Sequence, residues 1–133
     1  MKRSALFTLF GCLLVAFSTL SFTYSNENTE DANILLIDKR GTVLSAYPAV
    51  ITFNSKTTKT RIKLIKTGGR AKTEVKVYYN DVYRGKMNFS NGNSRPTKFI
   101  TITNPRNAKI KVIISNHSMT NTFKYRMVAH AIN

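Results

Sequence analysis

The chain has 133 residues, with 21 Lys and Arg against 6 Asp and Glu, and a formal net charge of +15. A hydrophobic fraction of 42% excludes a disordered chain and fits a single globular domain. The single Cys excludes an internal disulfide framework and a Cys-rich zinc module, and only two His are present to serve a metal centre or an acid–base site.

The first residues predict a targeting segment. Met1-Lys2-Arg3 is cationic, and an uncharged, largely apolar run follows it as far as Tyr24. This order is typical of a secretory signal peptide, which we place at residues 1–25. An uncleaved anchor is the alternative, because about 20 apolar residues can span a bilayer. Leu9–Cys12 resembles a lipoprotein box only weakly, since the apolar run continues past the cysteine. The chain is therefore expected to be secreted, with association to the cell envelope as one outcome.

Residues 26–32 are polar and carry three acids, so we interpret them as a flexible acidic lead-in. From residue 33 onward the chain is strongly basic, and we interpret residues 33–133 as one domain. The opposite charges suggest that the lead-in shields the basic surface weakly.

Period-two alternation between turn residues dominates the domain, whereas helical periodicity is hard to find. About nine short strands are expected, at 33–38, 42–46, 49–54, 58–66, 71–79, 82–89, 97–103, 108–115 and 122–131. This spacing predicts an all-β fold, a two-sheet antiparallel β-sandwich of immunoglobulin-like architecture without a disulfide.

Two hairpins are predicted within this sandwich. The first spans Thr58–Tyr79 and turns at Gly68-Gly69, a pair that accepts positive φ angles. Its register would pair Ile62 with Val75, Leu64 with Thr73, Lys63 with Glu74, and Arg61 with Lys76. The second would join 108–115 to 122–131, setting Ile110, Val112 and Ile114 against Met127, Tyr125 and Phe123. At the turn Asn104–Asn107 strict pairing would mix the two faces, so a bulge or a crossing between sheets is expected there.

A basic outer face is the strongest functional signal. Opposed like charges on strands are destabilising, and few acids are available to compensate them. We predict that this face binds anionic polymers by releasing counterions, with an affinity that falls steeply with salt. Teichoic acid or another acidic polysaccharide is the first candidate ligand, and extracellular nucleic acid is the second. The predicted ligand-binding residues are Arg61, Lys63, Lys76, Lys109, Lys111, Lys124 and Arg126.

The same charge allows other interpretations. It could serve solubility alone, since edge-strand lysines prevent pairing between molecules. A cationic toxin or antimicrobial protein acting on anionic membranes is the main functional alternative. A small secreted nuclease is less favoured, and it would depend on His117 and His130. Tyr78, Tyr79 and Tyr83 could stack bases or sugars, although we favour Tyr79 facing inward and Tyr78 covering a sheet edge.

No recognisable catalytic motif accompanies these residues. The chain has no Gly-x-Ser-x-Gly elbow, no catalytic pair of carboxylates, and no Gly-rich loop before a helix. We therefore expect a non-enzymatic protein without a metal or other cofactor.

Overall fold

The computed structural model describes residues 33–133, which form eight β-strands. The predicted signal peptide and acidic lead-in lie outside the described residues. Within the described part, no helix is long and apolar enough to cross a membrane. The strands are β1 (Ile34–Val43), β2 (Ala49–Asn54), β3 (Lys59–Gly68), β4 (Thr73–Tyr79), β5 (Val82–Phe89), β6 (Thr97–Thr103), β7 (Lys109–Asn116) and β8 (Phe123–Ile132).

The eight strands make two four-stranded antiparallel sheets, which confirms the predicted two-sheet β-sandwich. The first sheet has the order β1-β8-β3-β6, and the second has the order β2-β7-β4-β5. Strands pair in a nested way: β4 with β5, β3 with β6, β2 with β7, and β1 with β8. The chain thus resembles one long hairpin rolled into two layers, which is the topology of a jelly roll.

The core lies between the two sheets and explains the period-two pattern. Every second residue of β8 from Phe123 to Ala131 is buried, and Ile110, Val112 and Ile114 of β7 are fully buried opposite them. Ile62 and Leu64 of the first sheet and Val75 and Val77 of the second are also inaccessible to solvent. Alternate residues point to water, so one face of each sheet is apolar and the other is polar.

The first predicted hairpin is wrong. β3 and β4 belong to different sheets, and residues 69–72 carry the chain from one sheet to the other. The predicted partners Ile62 and Val75 both face the core from opposite sheets, because an alternating pattern fixes a strand's face and leaves its partner open. Lys63 instead lies beside Phe99 and Val128, and Lys76 beside Lys86 and Ile113.

The second predicted hairpin is wrong for the same reason. β7 belongs to the second sheet and β8 to the first, so residues 117–122 also cross between sheets. The apolar partners predicted for this hairpin do face one another, but through the core. A bulge or a crossing between sheets was expected at the turn Asn104–Asn107. The structure shows a crossing, because residues 104–108 connect β6 of the first sheet to β7 of the second.

The one tight hairpin joins β4 to β5. Tyr79 pairs with Val82, leaving Asn80 and Asp81 as a two-residue loop with φ angles of 45° and 64°. Positive φ at both positions is the property of a type I′ turn, in which Asn and Asp are common. The two strands predicted at 33–38 and 42–46 are also one continuous strand, β1, with a register shift between Leu35 and Ile37.

Four loops lie side by side at one end of the sandwich. They comprise residues 44–48, 69–72, 90–96 and 117–122, and we call them the loop end. Backbone hydrogen bonds join neighbouring loops: the N–H of Ala71 donates to the carbonyl of Thr122, and the N–H of Gly92 donates to that of Arg70. The Asn116 amide donates to the carbonyls of Val43 and Asn121 at 3.1 and 2.7 Å.

The buried side chain of Lys66 fixes one of these loops. It is fully buried, and its ammonium donates to the carbonyl oxygens of Ser90 and Gly92 at 3.4 and 2.7 Å. Burial lowers the pKa of Lys66 from its ordinary value, because a charged amine is poorly solvated there. These two hydrogen bonds therefore hold residues 90–92 against β3.

Candidate polyanion-binding surface

All seven predicted site residues lie on outward-facing positions, but they do not share one face. Arg61, Lys63, Lys124 and Arg126 lie on the outer side of the first sheet. Lys76, Lys109 and Lys111 lie on the outer side of the second. The predicted common face for Lys109, Lys111, Lys124 and Arg126 is therefore wrong, because β7 and β8 are in opposite layers.

The outer side of the first sheet is the more basic of the two. Lys59, Arg61 and Lys63 alternate along β3, about 7 Å apart for residues that share a face. Lys124 and Arg126 follow the same alternation on the neighbouring β8, and Arg40 lies beyond them on β1. We call this set of six cations the basic face: Arg40, Lys59, Arg61, Lys63, Lys124 and Arg126.

Asp38 is the acid of the basic face, and it is already paired. The Arg126 guanidinium donates to both carboxylate oxygens of Asp38, at 2.9 and 2.5 Å. This bidentate contact lowers the pKa of Asp38 and raises that of Arg126, since each charge favours the other. Within residues 33–133, the other five cations of the basic face have no acidic partner within salt-bridge distance.

Like charges stand directly opposite one another on this face. Arg40 of β1 is the registered partner of Arg126 on β8. Directly opposed like charges destabilise a sheet, and one carboxylate cannot neutralise both guanidiniums. The arrangement leaves a surplus of positive charge that an external anion would relieve.

The cations on the second sheet are better compensated. Glu74 lies between Lys76 and Lys86, at 3.1 and 3.4 Å from their amines, and these contacts lower the pKa of Glu74. Asp81 lies 2.5 Å from the Lys111 amine, which lowers the pKa of Asp81 in the same way. Two of the three predicted site residues on this sheet therefore already have a carboxylate partner.

Apolar side chains are interspersed with the cations of the basic face. The Arg61 guanidinium lies 5.6 Å from the centre of the Phe99 ring, and Phe99 is 66% exposed. Leu35 is 54% exposed on the same side of the sheet, two strands away from Arg61. The surface therefore offers apolar contact as well as charge to a bound molecule.

The three tyrosines contact other side chains of the protein, although Tyr83 remains 49% exposed. Tyr79 packs against the core, as expected, and the Arg84 guanidinium lies 3.8 Å from its ring centre. Tyr78 lies on an inner strand, contrary to the expected position over an edge. It contacts Tyr83 edge-to-face at 5.7 Å, with the Lys111 amine 5.3 Å from its ring.

The two histidines do not meet. His117 lies in the loop that precedes β8, at the loop end, whereas His130 lies near the other end of β8. At about 3.3 Å per residue the length of β8 separates them by more than 20 Å. They cannot act together as the acid and base of one site. The part of the chain that the structure describes also holds no cluster of three or more metal-binding side chains.

Sequence reasoning missed Arg40 and Lys59 on the basic face. Lys59 could have been found, because it continues the alternation of Arg61 and Lys63 within one predicted strand. Arg40 could not, because its place depends on the pairing of β1 with β8, which are separated by most of the domain.

No protein-family model matches the sequence, and no characterised protein matches it at the sequence level. Solved structures do resemble it. The pre-peptidase C-terminal domain of a Bacillus anthracis collagenase aligns over 71% of this chain and 89% of its own, with a TM-score of 0.51 and 15% identity. The Yersinia pseudotuberculosis-derived mitogen aligns over 74% and 86%, with a TM-score of 0.46 and 13% identity. At 15% identity, the likeness to the collagenase domain describes the fold alone: an all-β sandwich of two antiparallel sheets.

Proposed function

We propose that this chain is a secreted, non-enzymatic β-sandwich that binds anionic polymers of the cell envelope or the extracellular space. The ligand lies on the basic face of the first sheet. Teichoic acid and acidic polysaccharides are the first ligand class, and extracellular nucleic acid is the second.

One observation carries the proposal: six cations share one sheet face with one acid. A surface of this kind concentrates counterions, and a polyanion that replaces them gains their release entropy. The net charge of +15 also destabilises the folded state by self-repulsion, a cost that binding a polyanion offsets. The second sheet is the weaker candidate, because Glu74 and Asp81 already contact Lys76, Lys86 and Lys111.

The regular geometry of the face suits a repeating ligand. Cations lie about 7 Å apart along β3. Arg126 and Lys124 continue the row on β8, where they pair with Ile65 and Gly68 rather than with the cations of β3. The exposed Phe99 beside Arg61 adds a ring against which a sugar or a base can pack.

The proposal is tested by co-sedimentation of the protein with Gram-positive cell walls, with and without their teichoic acid, across a salt series. The basic-face variant carries Lys59→Gln, Arg61→Gln, Lys63→Gln and Lys124→Gln. We expect binding at low salt to fall about tenfold or more, and the log–log salt slope to fall by about one for each cation removed.

The matched control removes the same charge elsewhere. The control variant carries Lys56→Gln, Lys86→Gln, Lys98→Gln and Arg106→Gln, four exposed positions outside the basic face. This control should retain most of the wild-type binding. Equal losses in both variants would mean that net charge alone drives binding, and walls without teichoic acid that bind equally well would contradict the ligand class.

A further inference from the structure

The loop end carries three of the most exposed apolar side chains in the described part of the chain. Leu44 is 55% exposed, Tyr47 is 77% exposed and Met119 is 93% exposed. None of them belongs to the basic face. Exposed apolar side chains that gather at one end of a protein, with polar residues beside them, are typical of a surface that contacts a membrane or a partner.

The three side chains are held on neighbouring loops. Leu44 and Tyr47 form an isolated β-bridge that closes the first loop on itself. The Asn116 amide joins this loop to the one that carries Met119, through its bonds to Val43 and Asn121. The apolar tips therefore project from a hydrogen-bonded platform, which limits the entropy lost when they are covered.

Exposed cations lie on one flank of these tips. Arg70 and Lys72 lie on the adjacent 69–72 loop, and Arg95 lies on the loop beyond it. The Arg70 guanidinium donates to the Asn93 side chain at 2.8 Å, and the N–H of His117 donates to the carbonyl of Lys72 at 2.9 Å. Glu74 is the described acid nearest in sequence to Arg70 and Lys72, and Lys76 and Lys86 neutralise it on the outer side of the second sheet.

We propose that the loop end docks on anionic lipid bilayers. Leu44, Tyr47 and Met119 enter the boundary between headgroups and acyl chains, while Arg70, Lys72 and Arg95 contact the anionic headgroups. Apolar tips beside a row of exposed cations match a surface that is apolar a few ångströms below an anionic layer. An anionic polysaccharide offers no apolar layer, so its chemistry does not account for the exposed tips.

This site is separate from the basic face of the proposed function. The loop end lies at the end of the sandwich, whereas the basic face covers one side of the first sheet. A protein with both could hold an envelope polymer while it rests on a membrane surface.

A single tryptophan gives a direct test, because the chain contains none. Tyr47→Trp places the probe at the proposed contact, and Tyr83→Trp places a matched probe on the second sheet, where Tyr83 is 49% exposed. Vesicles of phosphatidylcholine with phosphatidylglycerol should shift the emission of Tyr47→Trp to the blue, and brominated lipids should quench it. Tyr83→Trp should not respond, and neither probe should respond to pure phosphatidylcholine.

Vesicle flotation tests the two components of the site. Leu44→Ser, Tyr47→Ser and Met119→Ser combined should lower binding to anionic vesicles about tenfold or more, since three apolar anchors are lost. Arg70→Gln, Lys72→Gln and Arg95→Gln combined should lower it to a similar extent. The matched control, with Ile34→Ser, Val50→Ser and Val82→Ser combined, removes three apolar side chains that are 41%, 53% and 50% exposed elsewhere and should bind like the wild type.

All variants carry the same first 32 residues, so differences between them report on the loop end. An unshifted Tyr47→Trp emission on anionic vesicles would overturn the proposal, as would a response to soluble teichoic acid without one to vesicles. The basic-face variant serves both experiments. It should lose polymer binding, but when it also carries Tyr47→Trp, anionic vesicles should still shift its tryptophan emission to the blue. Failure of one site is thereby distinguished from failure of the other.

Discussion

Single side chains decide how much of the positive charge is available to a ligand. Asp38 holds Arg126 in a bidentate contact, so this arginine is partly neutralised before any ligand arrives. The outward orientation of all seven predicted site residues followed from strand alternation alone. Their carboxylate partners did not, because Asp38 and Arg126 are 88 residues apart in the chain.

Asp38→Asn should therefore strengthen polymer binding. The substitution removes one negative charge from the basic face and releases Arg126, so the log–log salt slope should become steeper by about one. Co-sedimentation with teichoic acid-bearing walls measures this change. Weaker or unchanged binding by Asp38→Asn would mean that the ligand does not contact this face.

The same pair gives a pH dependence with a definite sign. Its contact with Arg126 lowers the folded-state pKa of Asp38 below the ordinary value of 3.8, so the pair stabilises the fold above that value. The stabilisation is lost as the pH falls through the lowered pKa. Thermal unfolding of wild type and Asp38→Asn should differ at neutral pH and converge in strong acid.

At the scale of strands, the sequence predicts where each strand lies along the chain, but it does not predict which strands pair with one another. Seven of the nine expected strands match an observed strand within two residues at each end, and the other two both overlap β1. Alternation in β3 or β7 shows which residues are buried, but a hairpin and a crossing between sheets bury the same residues. Both misassigned connections, at 69–72 and 117–122, are short enough to be hairpin turns.

Substitutions at Gly68 and Gly69 test whether the chain at residues 69–72 crosses between sheets or turns back as a hairpin. Gly69 has a φ of 80°, and a Cβ there would lie 2.0 Å from the backbone oxygen of Thr122. Gly69→Ala should cost about 3 kcal/mol or more, roughly 12 to 24 °C in Tm for a domain of this size. A Cβ on Gly68 would be 3.4 Å from the movable Lys124 side chain, so Gly68→Ala should change stability by less than about 1 kcal/mol.

Thermal unfolding measures the Tm of Gly68→Ala and of Gly69→Ala, and the two values are compared. In the hairpin arrangement neither glycine would approach residue 122, and the two substitutions would have similar effects. Similar Tm values for Gly68→Ala and Gly69→Ala would therefore contradict the observed crossing.

At the scale of the whole molecule, charge acts on folding and on binding in opposite directions. Residues 33–133 carry 19 Lys and Arg against three acids, and this excess of positive charge is spread over both sides of the sandwich. Salt screens this repulsion over distances of about 10 Å at 0.1 M. Anions of the salt also compete with a polyanion for the same cations of the protein.

Raising the salt from about 20 to about 300 mM should therefore increase Tm by a few degrees while polymer binding weakens. Calorimetry and co-sedimentation on the same samples measure the two effects. The basic-face variant should show a smaller gain in Tm, because much of the repulsion has already been removed. A Tm that falls with added salt would mean that attractive pairs, rather than repulsion, dominate the surface.

The nested strand order also determines how much of the chain must be made before the two sheets can be completed. Only β4 and β5 are joined by a tight turn, and every other pair closes a progressively longer loop around them. Neither sheet can be completed early: the second needs β7, and the first needs β8, which ends at residue 132. Closing long loops before their contacts form makes folding slow. A chain made from its N-terminus therefore cannot complete either sheet before β7 and β8 have been made, so its earlier strands lack sheet partners while those two strands are being synthesised.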